Sequence, residues 1–127
     1  MRETMIKNLA YYFVMAGLIL MCMSCQFEED QMGYPRTVTF SKEGGEKIIK
    51  GGKVNTLYIG KDSENILSNA EDGYETVRYK WLTARVPLDN YSMIIINAEP
   101  NTSGKSRMLR IFAYSGYQYA TIEVKQE

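Results

Sequence analysis

The chain has 127 residues, with 15 basic and 15 acidic side chains, no His and 2 Cys. That length bounds one domain. A formal net charge of zero removes the clustered Lys and Arg that nucleic acid demands, so no nucleic-acid partner is expected. The lack of His removes the usual near-neutral proton shuttle and the commonest metal ligand.

In chain order, the first element is a targeting segment. Arg2 and Lys7 form a basic n-region, and LAYYFVMAGLILMCM, residues 9–23, is apolar and uncharged. It is shorter than the roughly 20 residues of a comfortable membrane span. Ser24 is small and precedes Cys25, whereas Cys22 follows the bulky Met21. The pattern resembles the bacterial lipobox, although Cys22 rather than Leu stands three residues before the cut. The resemblance implies removal of residues 1–24 and acylation of Cys25, an anchor to the membrane. An ordinary secretory signal with an incidental cysteine is the competing reading. Several acyl chains, at about 0.8 kcal/mol per buried methylene, hold a protein at a bilayer where one chain is marginal. The mature chain then keeps Cys25 as its only cysteine, which excludes disulfide and thiol chemistry.

Gln26-Phe27-Glu28-Glu29-Asp30 resembles the surface-export signal of Bacteroidota lipoproteins and implies an outer-membrane protein facing the cell exterior. A solvated charged tether is the plainer reading of the same run. With Gly33 and Pro35, the stretch Gln26 to Arg36 reads as a flexible linker, so residues 25–36 are expected to form a lipidated acidic tether.

From Thr37 the pattern becomes short alternating runs separated by turn residues. Thr37–Phe40, Lys47–Lys50, Val54–Ile59 and Glu75–Trp81 read as strands, with turns at Glu43–Glu46 and Gly51-Gly52. KDSENILSNAEDG, residues 61–73, reads as a loop or one helical turn. Apolar parity changes from Val77, Tyr79 and Trp81 to Leu82, Ala84 and Val86, which predicts a bulge or chain reversal near Trp81. Tyr91–Ala98, with Met93-Ile94-Ile95-Ile96, is the most buried-looking run. Trp81 is expected in the core, where one ring of about 150–250 Å² organises a small domain.

The stretch from Asn101 to Gln126 carries the final hairpin. A turn at Ser115-Gly116 places Tyr114 opposite Tyr117, Phe112 opposite Tyr119, Ile111 opposite Ala120 and Leu109 opposite Ile122. Leu109, Ile111, Ala113, Ala120, Ile122 and Val124 then share one face. The other bears Met108, Arg110, Phe112, Tyr114, Tyr117, Tyr119, Thr121 and Glu123. About seven short strands result, with no sustained helical period. This predicts an all-β fold, a β-sandwich of immunoglobulin-like type over residues 37–127, with a small barrel as the alternative.

Thr37-Val38-Thr39-Phe40 with Gly44-Gly45, then Trp81-Leu82, Asn101-Thr102-Ser103-Gly104 leading to Arg107, and the closing Ile122-Glu123-Val124-Lys125-Gln126 resemble the BACON domain. That is a short sandwich module of Bacteroidota lipoproteins and surface glycan-utilisation proteins. The resemblance spans residues 36 to 127 and departs from the family between Gly51 and Trp81, where the spacing is longer. It implies the immunoglobulin-like sandwich and binding of carbohydrate or mucin-type glycan, and it also allows a spacer. Turn chemistry makes Trp81, Asn101, Arg107 and Gln126 structural: Asn101 bonds its own loop, and Arg107 anchors that loop through carbonyls.

No catalytic group is found. His and a free Cys are missing, adjacent acids such as Glu71-Asp72 sit in polar loops, and residues 62–72 lack the spacing of a calcium loop. No enzyme, metal or cofactor is therefore expected. The candidate ligand-binding surface is the aromatic face: Phe112, Tyr114, Tyr117 and Tyr119, with Arg110 beside them and Tyr74 and Tyr91 as extensions if their strands are adjacent. Rings accept the C–H faces of sugars while polar neighbours take the hydroxyls. The same rings also stabilise a hairpin without a ligand, by about 0.2–1 kcal/mol per cross-strand pair. The function expected is a non-catalytic surface lipoprotein that binds glycan. The alternative is a spacer or protein-interaction subunit of a surface complex.

Overall fold

A computed structural model describes residues 28–61 and 64–127. The expected signal peptide and the acylation site Cys25 lie outside the described residues. Eleven strands form among the latter: β1 (Glu28–Glu29), β2 (Thr37–Phe40), β3 (Gly45–Lys50), β4 (Thr56–Lys61), β5 (Glu64–Leu67), β6 (Asn69–Glu71), β7 (Tyr74–Tyr79), β8 (Leu82–Pro87), β9 (Met93–Ala98), β10 (Arg107–Ser115) and β11 (Gln118–Gln126). They build two sheets packed as a sandwich. The first runs β1–β11–β10–β4–β5, with β2 also paired to β11; the second runs β3–β9–β8–β7–β6. Only β1 and β2 pair in parallel.

Alternation explains the layering. Leu57 and Ile59 of β4, Leu109, Ile111 and Ala113 of β10, and Ala120, Ile122 and Val124 of β11 turn inward from the first sheet. Val77 of β7, Leu82, Ala84 and Val86 of β8, and Ile94 and Ile96 of β9 meet them from the second. Each buried Leu or Ile contributes about 1.5–3 kcal/mol, and the charged residues stay at the rims and outer faces.

Three expectations are corrected. Residues 37–127 hold ten strands rather than about seven, and β1 precedes them. Residues 61–73, expected as a loop or helical turn, hold β5 and β6, which pair with β4 and β7 respectively. The chain switches sheets between them at Ser68, a buried residue. Its hydroxyl accepts from Leu57 N at 3.0 Å and donates to Glu75 Oε2 at 2.7 Å, holding the two sheets together at that edge. Both strands are exposed edges, so neither needs the apolar alternation by which strands are recognised.

The third correction concerns the stretch read as a flexible linker. From Glu28 to Arg36 the chain is docked along the sandwich. β1 pairs with β11 at Gln118 and Tyr119, Asp30 N donates to Tyr119 O at 3.1 Å, and Gln31 Nε2 donates to Thr121 O at 2.7 Å. A turn of 3-10 helix, Gln31–Gly33, then delivers Tyr34 into the core, where its hydroxyl donates to Gly52 O at 2.6 Å. The seat is cut by Gly51: a Cβ there would lie 2.7 Å from Met32 O and from the Tyr34 ring. The Gly51-Gly52 pair thus does more than break a strand. Burial pushes the Tyr34 hydroxyl up to about 12.

Candidate functional site

The outer face of the first sheet is set by the register of its strands. Thr121 pairs with Phe112, Phe112 with Tyr58, and Tyr58 with Leu67, so one row crosses all four strands β11, β10, β4 and β5. The next row towards the hairpin turn is Tyr119, Tyr114 and Thr56. Every one of these side chains has the parity that points away from the core. The Tyr114 and Tyr119 rings stack with centroids 5.2 Å apart and planes 22° apart; Tyr58 meets Tyr114 edge-on at 5.4 Å. Tyr58, Phe112, Tyr114 and Tyr119 are half-buried by one another, while Leu67 is 52 % exposed.

Beside the rings lies a shallow cleft of about 420 Å³, lined by Asn55, Thr56, Tyr58, Tyr114 and Gly116. The Tyr114 hydroxyl is held above its ordinary range, first by burial and then by the neighbouring Tyr119 and Tyr58 hydroxyls. Like any phenol it is neutral at physiological pH, able to donate and to accept. The cleft combines apolar ring faces with amide and hydroxyl groups, a composition suited to a neutral polyhydroxyl ligand. Arg110, on the same face in the row beyond Phe112, pairs with Glu123 at 3.3 Å.

The expected residues do not all gather there. Phe112, Tyr114, Tyr119 and Arg110 share the face, but Tyr117 does not. The turn is Gly116-Tyr117, with Gly116 at φ +64°, and the pairs are Ser115 with Gln118, Tyr114 with Tyr119 and Phe112 with Thr121. The expected turn at Ser115-Gly116 was one position early. Gly fits better as the first central residue of a hairpin turn, where φ is positive. Tyr117 thus sits at the tip of the hairpin, 70 % exposed. Tyr74 extends nothing, because it lies on the second sheet beneath the Arg85 guanidinium, 4.6 Å from its ring centroid. Tyr91 is in the β8–β9 loop, with Lys53 Nζ 5.8 Å from its ring centroid. Tyr58 and Leu67 were missed. For Tyr58 the signal was present, since it alternates with the buried Leu57 and Ile59.

The residues expected to be structural come together at the opposite end of the sandwich. Trp81 sits in the tight reversal between β7 and β8, buried, with the Arg107 guanidinium 4.6 Å from its ring centroid. Arg107 Nε donates to Gln126 Oε1 at 2.8 Å, and its terminal nitrogen donates to Glu99 O and Pro100 O at 3.1 and 3.2 Å. Gln126 Nε2 in turn donates to Glu99 O and Ser41 O. Asn101 Nδ2 donates to Lys105 O at 2.7 Å and Glu127 O at 2.9 Å, while its Oδ1 accepts from Ser103 N. Four side chains therefore tie together two loops, one hairpin and the C-terminal strand. Every polar contact named goes to the protein itself, which makes this end a latch. Among the described residues, no three of His, Cys, Asp or Glu converge as a metal site.

Comparison with known proteins bears on the architecture. An NMR structure of a protein from Bacteroides thetaiotaomicron superposes with a TM-score of 0.55 at 9 % identity, covering 77 % of this chain and 85 % of that one. At that identity the likeness is one of fold: a β-sandwich. No family profile matches the chain, and no curated protein is similar to it.

Proposed function

We propose that this chain is a non-catalytic, lipid-anchored module of the outer-membrane surface. In this reading its sandwich is immunoglobulin-like and akin to the BACON domain, and it binds glycan on the outer face of the first sheet. One observation carries the binding reading: the row Phe112–Tyr58–Leu67, flanked by the stacked Tyr114 and Tyr119, opens onto a cleft lined by Asn55 and Thr56. Aromatic platforms edged by amide and hydroxyl groups match a ligand with C–H faces and hydroxyl rims. The lipobox-like Ser24-Cys25 and the acidic run after it support the anchor and the display.

Affinity electrophoresis of the detergent-solubilised full chain through gels containing neutral and mucin-type glycans tests this. Removing one ring, Tyr58→Ala, is expected to weaken retention about fivefold, from roughly 1 kcal/mol per aromatic contact. Retention unchanged by both Tyr58→Ala and Tyr119→Ala refutes the assignment of the face. A second reading, a protein-interaction subunit, is favoured by the edge strand β5, which leaves Leu67 exposed beside Tyr58. Co-purification of one stoichiometric partner, lost on Leu67→Glu with glycan retention absent, decides for it.

A further inference from the structure

The docked N-terminal segment fixes where an anchor at Cys25 holds the domain. β1 runs parallel to β11, which leads away from the hairpin turn, so the chain arrives at Glu28 from the side of that turn. Glu28 is the register partner of Gln118, the first residue after Gly116-Tyr117. Three peptide steps separate Cys25 from Glu28, and at about 3.8 Å per step the acylated residue lies within about 11 Å of it. The lead-in cannot swing freely, because Gln31, Met32 and Tyr34 are all held by the sandwich.

The same end of the molecule has its own chemistry. Strand direction places there the β10–β11 turn, the β3–β4 segment, the β8–β9 loop and the β6–β7 turn. The hydrogen bonds Asn55 N to Tyr114 O, Val54 N to Tyr91 O and Gly51 N to Ser92 O tie the first three together. Six large apolar side chains are exposed among the described residues, and Tyr117, Tyr91 and Leu88 all lie in these end loops. Tyrosines with an apolar ring and a polar tip are favoured at the boundary between lipid headgroups and hydrocarbon. Acidic side chains are also present: Asp72 and Asp89 in the loops and Glu29 and Asp30 in the lead-in, against Lys50, Lys53 and Arg36, the last paired with Glu29 at 3.7 Å, which leaves no net positive charge. That balance argues against attraction to an anionic bilayer.

We propose that this loop-bearing end, led by Tyr117 and Tyr91, rests on a zwitterionic lipid surface, so that the strands stand upright on the membrane. The proposal rests on the anchor reading of Cys25 and adds an orientation to it. The latch end then points outward, and the aromatic face of the first sheet stands perpendicular to the bilayer.

Trp81 supplies an internal control, being beside Arg107 at the start of β10 while the turn follows Ser115 at its end. Eight residue steps at about 3.3 Å separate the two ends by roughly 26 Å. The full chain, matured and acylated in a bacterial host, is reconstituted in phosphatidylcholine vesicles with and without brominated acyl chains. The native protein, whose one tryptophan is Trp81, is expected to show unquenched emission. In Tyr117→Trp, which keeps Trp81, the added emission is expected to shift to the blue and fall about twofold with brominated lipid. Replacing a fraction of the lipid by phosphatidylglycerol is expected not to deepen that quenching. A chain that fails to float with vesicles overturns the anchor and the orientation together. Flotation with the added emission unquenched, or with Trp81 quenched equally, overturns the orientation and leaves the anchor standing.

Discussion

Replacing Gln126 with Ala removes the most connected side chain of the latch. Gln126 is 1 % exposed, and its amide makes three hydrogen bonds, accepting from Arg107 Nε and donating to Glu99 O and Ser41 O. A neutral hydrogen bond contributes about 0.5–1.5 kcal/mol net, and one to a charged group about 1.5–3 kcal/mol. The sum is reduced because Glu99 O keeps the Arg107 terminal nitrogen at 3.1 Å, and because Arg107 is half-exposed and regains water. A cost of about 3 kcal/mol remains, a large share of the roughly 5–15 kcal/mol that holds a domain folded. Urea unfolding reads it: with a slope near 1.5 kcal/mol per molar, the midpoint is expected to fall by about 2 M at unchanged slope. Arg107→Ala and the double variant complete a cycle, and a coupling above about 1 kcal/mol is expected for groups in direct contact. An architectural latch also predicts that Gln126→Ala leaves glycan retention intact below its unfolding transition. A midpoint shift under about 0.5 M, or loss of retention with the midpoint preserved, refutes the structural assignment.

Two further expectations concern the N-terminal segment. Tyr34 ionises near pH 12 in the fold against 10.0 ordinarily, because burial penalises the phenolate. A raised folded value means its contribution is whole below pH 10 and lost as pH rises through 12, so stability should decline across that window. Ultraviolet difference titration of Tyr34→Phe against the native chain checks this, the variant lacking one late-ionising tyrosine. Gly51→Ala brings a Cβ to 2.7 Å from Met32 O and the Tyr34 ring, an overlap expected to cost about 1–3 kcal/mol. Limited proteolysis should then cut between residues 28 and 36 while the sandwich stays whole; unchanged protection shows that the seat yields without cost.

The central strands were legible because each buries one face against the opposite sheet, and burial of Leu109, Ile111, Ala113, Ala120, Ile122 and Val124 writes a period of two into the sequence. Parity has a blind spot, and the final hairpin falls in it. The expected and observed registers differ by two residues in pairing, which leaves every paired side chain on the same face and moves only Tyr117 from that face to the tip. Only turn chemistry distinguishes them, through the demand for positive φ at Gly116. Edge strands β5 and β6 were illegible for a different reason: exposed on both sides, they carry no alternation. The docked segment was obscured by composition, since Gly33 and Pro35 signal a linker whether or not the chain has a surface to lie on. Its marker was Tyr34, a large ring between Gly33 and Pro35, whose partner, the space above Gly51, is visible only in three dimensions.

The two ends of the sandwich therefore do separate work, and the chain's order shows how. The latch end draws its side chains from Trp81, Asn101, Arg107 and Gln126, far apart in sequence, and each satisfies backbone carbonyls or another member of the set. Nothing there needs a ligand to complete it. At the other end the polar backbone is satisfied by loop-to-loop bonds, while the side chains left outside are Tyr117, Tyr91 and Leu88. Between these ends, the outer face of the first sheet carries a gradient: Tyr119 and Tyr114 nearest the turn, then Phe112, Tyr58 and Leu67, then Arg110 paired with Glu123. With the turn end on the membrane, the stacked pair lies closest to the lipid and the Phe112 row about 7 Å farther out. A polymer arriving from outside then meets Phe112, Tyr58 and Leu67 before the stacked pair. On the proposed function, that ordering predicts that Tyr58→Ala weakens glycan retention more than Tyr119→Ala does, and equal losses in affinity electrophoresis refute it.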